Sequence, residues 1–290
     1  MNNANARLNA RAALMSVVIL VLLLAVWHVA TLPAGGAAAS GLTAEQIEYQ
    51  KLLGKDPTAG AKQNNGFPTL TQMREAIVSN LAHPFYDNGP NDKGIGIQLA
   101  HSLMRVGLGF GLAALIAIPL GFVIGMSPLM YRALDPFIQV LKPISPLAWM
   151  PLALYTIKDS SISGIFVIFI CSVWPMLLNT AFGVAGVRRE WLNVAKTLEV
   201  TPLRKAFEVI LPAAAPTIVT GMRISMGIAW LVIVAAEMLV GGTGIGYFVW
   251  NEWNNLSLTS VIFAILVIGV VGMVLDLLFA QLQKAVSYVD

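Results

Sequence analysis

Four ionisable residues stand inside or at the ends of long apolar runs: Arg105, Arg223, Glu237 and Asp276. Each costs about 2.5–3.5 kcal/mol at the centre of a lipid-spanning helix, so each needs a partner or a task. Arg223 and Asp276 can meet at similar depth, which makes a structural ion pair the first reading and direct contact between Arg223 and an anion the second. Arg105 opens its run. A guanidinium there snorkels to headgroups by default, and lining the outer mouth of an anion pathway is the sharper alternative. Glu237 closes its run just before Gly241-Gly242. A carboxylate would repel an anion in an open pore, so a hydrogen bond to the following glycine loop is expected. Trp149 and Met150 lie between Pro146 and Pro151 and are the candidates for a gate.

The sequence offers no catalytic constellation beyond these. It has no GxxxxGKS or GxxxxGKT phosphate loop and no GxSxG elbow, and the GGTGIG string at 241–246 follows an apolar run rather than a strand. His28, His83 and His101 lack metal-ligand spacing. The single cysteine, Cys171, leaves an intrachain disulfide impossible and a thiolate metal site without ligands. No catalytic residue, metal ligand or cofactor is assigned to this chain. Transport driven by ATP hydrolysed elsewhere stays open.

The elements that must position these residues are membrane helices. Of 290 residues 57% are hydrophobic and 11% charged, where soluble domains carry about 25% charged residues. A helix needs about 20 mostly apolar residues to cross a bilayer. Six stretches qualify: Ala12 to Leu32, Leu99 to Met126, Pro136 to Ile157, Ile162 to Val184, Ala213 to Val240 and Thr259 to Leu282. Backbone in lipid must satisfy its own hydrogen bonds, so the fold expected is an all-α membrane protein with six transmembrane helices.

Cations orient this set. Arg7, Arg11, Arg132, Arg188, Arg189, Lys196, Arg204, Lys205 and Lys284 all fall on one side of six spans. The positive-inside rule puts that side and both termini in the cytoplasm. The net charge of +3 is thus an orientation signal and not a nucleic-acid footprint. Arg7 and Arg11, the first run and Ala37-Ala38-Ala39 also have the order of a cleavable signal. The run is longer than a signal core, and an uncleaved first helix is expected.

Three parts follow: 1–32, the cytoplasmic start and first helix; 33–98, an external segment; and 99–290, a five-helix core. In the external segment, Thr43 and Gln46 form a capping-box pattern for a short helix ending near Gly54. Residues 55–66 read as a linker, and Thr71 to Leu81 as a second short helix. Pro143, Pro146 and Pro151 interrupt the third span and Pro175 the fourth. They act as packing kinks or as breaks that expose backbone to a polar solute. Gly107, Gly109, Gly111, Gly121 and Gly125 allow close helix packing, and Trp250 and Trp253 fit an outer interfacial belt.

The loop between the fourth and fifth spans reads REWLNVAKTLEVTPLRKAFEVILPAAAP from Arg189 to Pro216. Leu192, Ala195, Leu198 and Val200 recur near helical spacing, Thr201-Pro202 opens a new turn, and Leu203, Phe207, Ile210 and Leu211 continue it. The pattern is an amphipathic, basic helix–turn–helix. It suits either an interfacial helix on anionic lipid or a docking lever. In the second case Val200, Thr201, Pro202, Leu203, Arg204 and Lys205 form the tip, with Leu203 the contact and Arg204 and Lys205 its rim.

This loop resembles the EAA loop of ABC importer permeases, E-A-A-x3-G-x9-I-x-L-P, over 188–211 and the LPAAAP that follows. Asn193, Val194, Ala195, Glu199, Val209, Leu211 and Pro212 stand at the matching positions. Asn193, Val194 and Glu199 depart from its Glu, Ala and Gly, and Glu199 adopts a left-handed backbone less cheaply than Gly. The strings HPFYDNG at 83–89, DKG at 92–94, SLMRVGLGF at 102–110, YRALDPFIQVLKPISPLAWMPLAL at 131–154, GMRIS at 221–225 and WLVIVAAEMLVGGTGIGYFVWNEW at 230–253 resemble nitrate-type permeases. Relatives of those permeases handle cyanate, bicarbonate, taurine or other sulfonates.

The resemblance implies a type I ABC importer permease fold with a cytoplasmic coupling helix, in a bacterial inner membrane. It implies two copies of the permease, two cytoplasmic ATPase subunits or domains holding ATP and Mg, and a periplasmic solute-binding protein. A self-sufficient channel or carrier is the rival from another class. It leaves the basic loop without a partner.

Overall fold

The structure is a computed structural model that describes residues 3–31, 67–89 and 91–286. The expected signal-like Ala37 to Ala39, the capping box at Thr43 and the linker 55–66 lie outside the described residues. Two compact units are distinguished, one of Met1–Ala82 with Leu256–Phe263 and one of His83–Asn255 with Ala264–Asp290.

In the first unit, α1 (Asn3–Ala30) carries the first apolar run. Trp27 near its end donates its indole N–H to Pro68 O at 2.9 Å and meets the Phe67 ring at 5.4 Å. The short helix expected at Thr71 is α2 (Leu70–Ala82). It starts earlier because Thr69 and Gln72 cap it reciprocally: Thr69 N–H donates to Gln72 Oε1 at 2.9 Å, and Gln72 N–H reaches Thr69 Oγ1 at 3.4 Å.

The second unit holds α3 (Ile95–Met126), α4 (Pro128–Leu141), a 3-10 turn at Pro146–Trp149, α5 (Met150–Ile157) and α6 (Ser160–Ala185). The loop follows as α7 (Arg189–Thr197) and α8 (Pro202–Lys205), then α9 (Leu211–Val240) and α10 (Ile245–Asn254). The last helix is α11 (Leu258–Val286). Local chemistry sets the joints. Ser127 Oγ accepts Met130 N–H to cap α4, whose first residue is Pro128. α5 ends on Lys158 in a left-handed conformation, φ +59°, and Asp159 Oδ1 accepts Ile162 N–H at 2.8 Å to start α6.

α6 is the spine. Gly109, Gly121 and Gly125 of α3 press on Ile165–Ile168, Leu177–Thr180 and Ala181–Val184 of α6, so these two helices run parallel. Gly107 and Gly111, expected to pack as well, face open space. α9 runs antiparallel to α6: Gly221 lies against Asn179, and Ser225 Oγ donates to Ser172 O at 2.8 Å. α11 pairs antiparallel with α9, with Trp230 Nε1 donating to Ile268 O at 3.0 Å.

The third span is interrupted at its prolines, as expected, but it starts earlier than Pro136 and turns sharply: it is the pair Pro128–Leu141 and Pro146–Ile157, bent by 82°. Pro143 and Pro146 remove two backbone donors just past the end of α4, and the residue before each proline is steered away from helix. The pair still has to cross, because the parallel helices α3 and α6 cannot be joined without returning through the membrane. Among the described residues, five helices and this broken pair make six candidate crossings. No residue in the apolar stretch Ala10–Ala30 is buried, and 11% of that in Leu258–Val286 is. Side chains such as Leu23 and Leu278, both above 60% exposed, need lipid or protein around them rather than water.

Candidate functional site

The loop after α6 is held to the helix bundle by a small apolar cluster. Val184, Val187, Ile210, Ala214 and Ile218 are buried together, and Leu192 of α7 packs on them. Ala195 is the one buried residue of α7 and Leu192 is half-buried, so the other residues of that helix stand on the surface. α7 closes with a Schellman motif, in which Glu199 N–H donates to Lys196 O and Val200 N–H to Ala195 O, both at 3.1 Å. The motif needs a left-handed residue and Glu199 supplies it, at φ +52°. The turn of the EAA pattern is therefore made without its glycine, at a conformational cost of about 1 kcal/mol.

Thr201 then precedes Pro202, the first residue of α8. The chain continues through a π-turn at Ala206–Ile210, where Leu211 N–H donates to Ala206 O five residues back. Pro212 has no N–H, and in a regular ladder its ring would strike the carbonyl of Glu208. Widening the turn just ahead of it carries the loop into α9 without a break. The exposed tip is apolar: Leu203 is 75% and Phe207 66% exposed. Asn193, Glu199, Thr201 and Pro202 are exposed beside it, and Val200 and Lys205 are half-buried. Arg204, expected as a rim charge, is paired within the helix to Glu208 at 2.8 Å.

Arg105 does not snorkel. It is buried, and its Nη1 donates to Glu237 Oε1 at 2.8 Å and to Thr243 O at 2.7 Å, while Nε donates to Ser161 Oγ at 3.0 Å. α6 and the 243–246 loop cover it, partners far away in sequence. Glu237 also sits 2.8 Å from Ser102 Oγ and accepts Gly246 N–H at 3.0 Å, the glycine-loop bond expected for it. Gln98 Oε1 accepts Gly244 N–H at 2.6 Å and Ser102 Oγ accepts Ile245 N–H at 2.9 Å. Side chains of α3 and α9 thereby satisfy the first amides of α10. A Cβ on Gly246 would overlap the Val234 carbonyl, so only glycine brings α10 this close. A cavity of about 10 Å³ adjoins this knot, with Arg105, Met150, Ile233 and Glu237 among its walls. Trp149, beside Met150, has its indole nitrogen buried without a hydrogen-bond partner.

The strings at 83–94 and 244–253 meet at the same end. Asp87 and Lys93 bridge a tight hairpin with an ion pair of 3.2 Å. That bond and the Gly89 N–H hold the Asp87 carboxyl below its ordinary range. From the hairpin, Asn91 accepts Tyr247 Oη–H at 2.7 Å and, on its carbonyl, Asn251 Nδ2–H at 3.2 Å.

Arg223 lies elsewhere, about 21 Å along α9 from Glu237 at about 1.5 Å per residue. Its pairing with Asp276 is present and double: Nε to Oδ1 and Nη2 to Oδ2, both 2.6 Å. Nη1 reaches Gln283 Oε1 at 3.3 Å, and Gln283 Nε2 donates to Thr220 Oγ1 at 2.9 Å. These residues border a groove of about 640 Å³ whose apolar wall is Ile224, Gly227, Ile228 and Leu231. Arg105, Met150 and Glu237 thus share one site, Trp149 adjoins it, and Arg223 forms another. The Gln98, Ser102 and Ser161 contributions went unnoticed in the sequence, because short polar residues in apolar runs carry no signature until the helices are placed.

A parallel helix pair, a broken crossing between them and an exposed helix–turn–helix that runs on into α9 make this a multi-pass membrane protein. The chain belongs to the family of binding-protein-dependent transport system inner membrane components, whose sequence model matches residues 117–288. It is 44% identical over 224 residues, covering 77% of this chain and 82% of the relative, to the nitrate import permease protein NrtB of Synechocystis sp.. It is also 44% identical over 208 residues, 71% and 74% of the two chains, to the bicarbonate transport system permease protein CmpB of the same organism. Its fold is that of a chain in the inward-facing MetNI methionine ABC transporter, with a TM-score of 0.58 at 13% identity over 65% of this chain and 94% of that one. The type I importer permease fold implied by the resemblance is therefore the fold observed.

Proposed function

We propose that this permease carries a small oxyanion, nitrate first and bicarbonate second, inward across a bacterial inner membrane under the drive of two cytoplasmic ATPase subunits or domains. ATP and Mg belong to those partners. A second copy of the chain completes the pathway, and a periplasmic binding protein delivers the solute to the end that carries Arg105, Glu237 and α10. Both termini and the loop at 188–211 are cytoplasmic, since six crossings put Arg7, Arg132, Arg188 to Lys205 and Lys284 on one side. The segment 33–98 then faces the periplasm.

The observation that carries this reading is the apolar tip at Leu203 and Phe207, exposed on a helix–turn–helix that runs on into α9. ATPase closure on ATP moves the tip, α9 follows, and the bound anion changes the side it faces. Leu203 enters the partner's groove, with Lys205 at the rim and Asn193, Ala195 and Glu199 to Pro202 shaping the turn. Arg105 and Glu237 form the fixed outer wall of the pathway, Trp149 and Met150 its gate at the break in the third span, and Arg223 its cation. Replacing Leu203 with Asp is expected to abolish ATP-dependent uptake of labelled nitrate in a deletion strain while the complex still assembles. Normal uptake in that variant removes the assignment. Competition by bicarbonate, cyanate and taurine in the same assay fixes the solute.

A further inference from the structure

We propose that the guanidinium fork of Arg223 is the oxyanion-binding site of the pathway, and that Asp276 occupies it between transport events as a built-in stand-in for a planar substrate. This rests on the importer reading above and adds the residues that hold the oxyanion.

The geometry is specific. Arg223 presents Nε and Nη2, one edge of its plane, to the two carboxylate oxygens of Asp276 at 2.6 Å each. Two parallel charge-assisted bonds of this kind fit an anion that turns two oxygens to the fork at once. A carboxylate, a nitrate and a bicarbonate all do so from a trigonal planar centre. A single-atom anion such as chloride has no second oxygen to offer. Gln283 holds the other edge of the guanidinium and is itself held by Thr220, so the plane of the fork is fixed from behind.

Accessibility separates this pair from the other one in the spans. The side chains of Arg105 and Glu237 are 9% and 3% exposed, and Ser102, Thr243 and Gly246 close around them. An anion reaches that arginine only by dismantling the knot. The Arg223 and Asp276 side chains are 36% and 54% exposed and open into the groove of about 640 Å³. Arg223 stands about 18 Å along α9 from Leu211 at about 1.5 Å per residue, well inside the span.

Exchange of Asp276 for a planar anion preserves both bonds to the fork and leaves the freed carboxylate facing the open groove. A bare arginine at that depth would hold an anion too long. Conduction needs binding favourable enough to enter and weak enough to leave, and an internal competitor gives that balance.

The test uses the assembled permease–ATPase complex without the external binding protein. Thermal stabilisation is titrated with nitrate, bicarbonate and chloride, and labelled uptake by the complete wild-type system runs in parallel. Asp276→Asn opens the fork and is expected to lower the half-saturating nitrate and bicarbonate concentrations about tenfold while chloride changes less. Arg223→Lys keeps the charge and the ion pair but loses the fork. The preference for nitrate over chloride is expected to fall about tenfold in it. Unchanged anion preference in both variants overturns the inference. Should Asp276→Asn fail to assemble, the lysine variant decides alone, because a merely structural ion pair leaves preference untouched. Wild type that imports neither planar anion sinks the substrate reading and this inference together; wild type that imports them while both variants bind anions as it does sinks the inference only.

Discussion

Glu199 occupies a left-handed turn that a glycine would take at no steric penalty, and the Schellman bonds of Lys196 and Ala195 hold it there. Replacing Glu199 with Gly is expected to raise the thermal stability of the loop by about 1 kcal/mol and to leave uptake intact; a valine there should lower both. Thermal unfolding of the purified complex measures the difference. Glu237, which is buried, gives a second test. Its replacement by Ala strands Arg105 and the Gly246 amide, and removal of one partner of a buried ion pair costs about 3–5 kcal/mol. The expected result is a complex that unfolds at markedly lower temperature even before transport is assayed, with Asp276→Ala much milder because that pair is open to the groove. The Arg223–Asp276 pair was legible in the sequence, since depth follows from counting residues along two apolar runs. The burial of Arg105 was not. Snorkelling is a property of a single helix, and what prevents it are Ser161, Thr243 and Glu237, contributed by other parts of the chain.

The proposed lever works only if the tip and α9 turn together. The backbone runs helically through the π-turn at Ala206–Ile210 into α9, and the buried cluster of Val184, Val187, Ile210 and Ala214 ties that junction to the end of α6. Inserting one alanine after Ile210 rotates the tip about 100° against α9 and is expected to abolish uptake, whereas four alanines, about one turn, restore most of it. Equal uptake by both insertions would mean that the loop is a tether rather than a lever. Amphipathic spacing and Thr201-Pro202 were enough to foresee α7 and α8. The prolines of the third span announce an interruption in the sequence but not a bend of 82°. Hydropathy adds up along the chain and contains no direction, so three closely spaced prolines mark a break without saying how far it turns.

For the whole molecule, the parallel course of α3 and α6 is what obliges Pro128 to Ile157 to recross. The six apolar runs were plain in the sequence, because lipid demands the same composition of every crossing. Which of them pack, and that α6 is the spine, depends on glycines meeting backbone on a neighbouring helix. Gly109 and Gly107 look alike in sequence, and only the first touches α6.

If the tip grips a nucleotide-hydrolysing partner and moves α9 with it, a photo-crosslinking residue placed at position 203 of the assembled transporter in its native membrane forms an adduct with the ATPase. The yield of that adduct changes when ATP is bound. Adducts confined to lipid, or labelling of that position by an impermeant reagent from outside the cell, would contradict it.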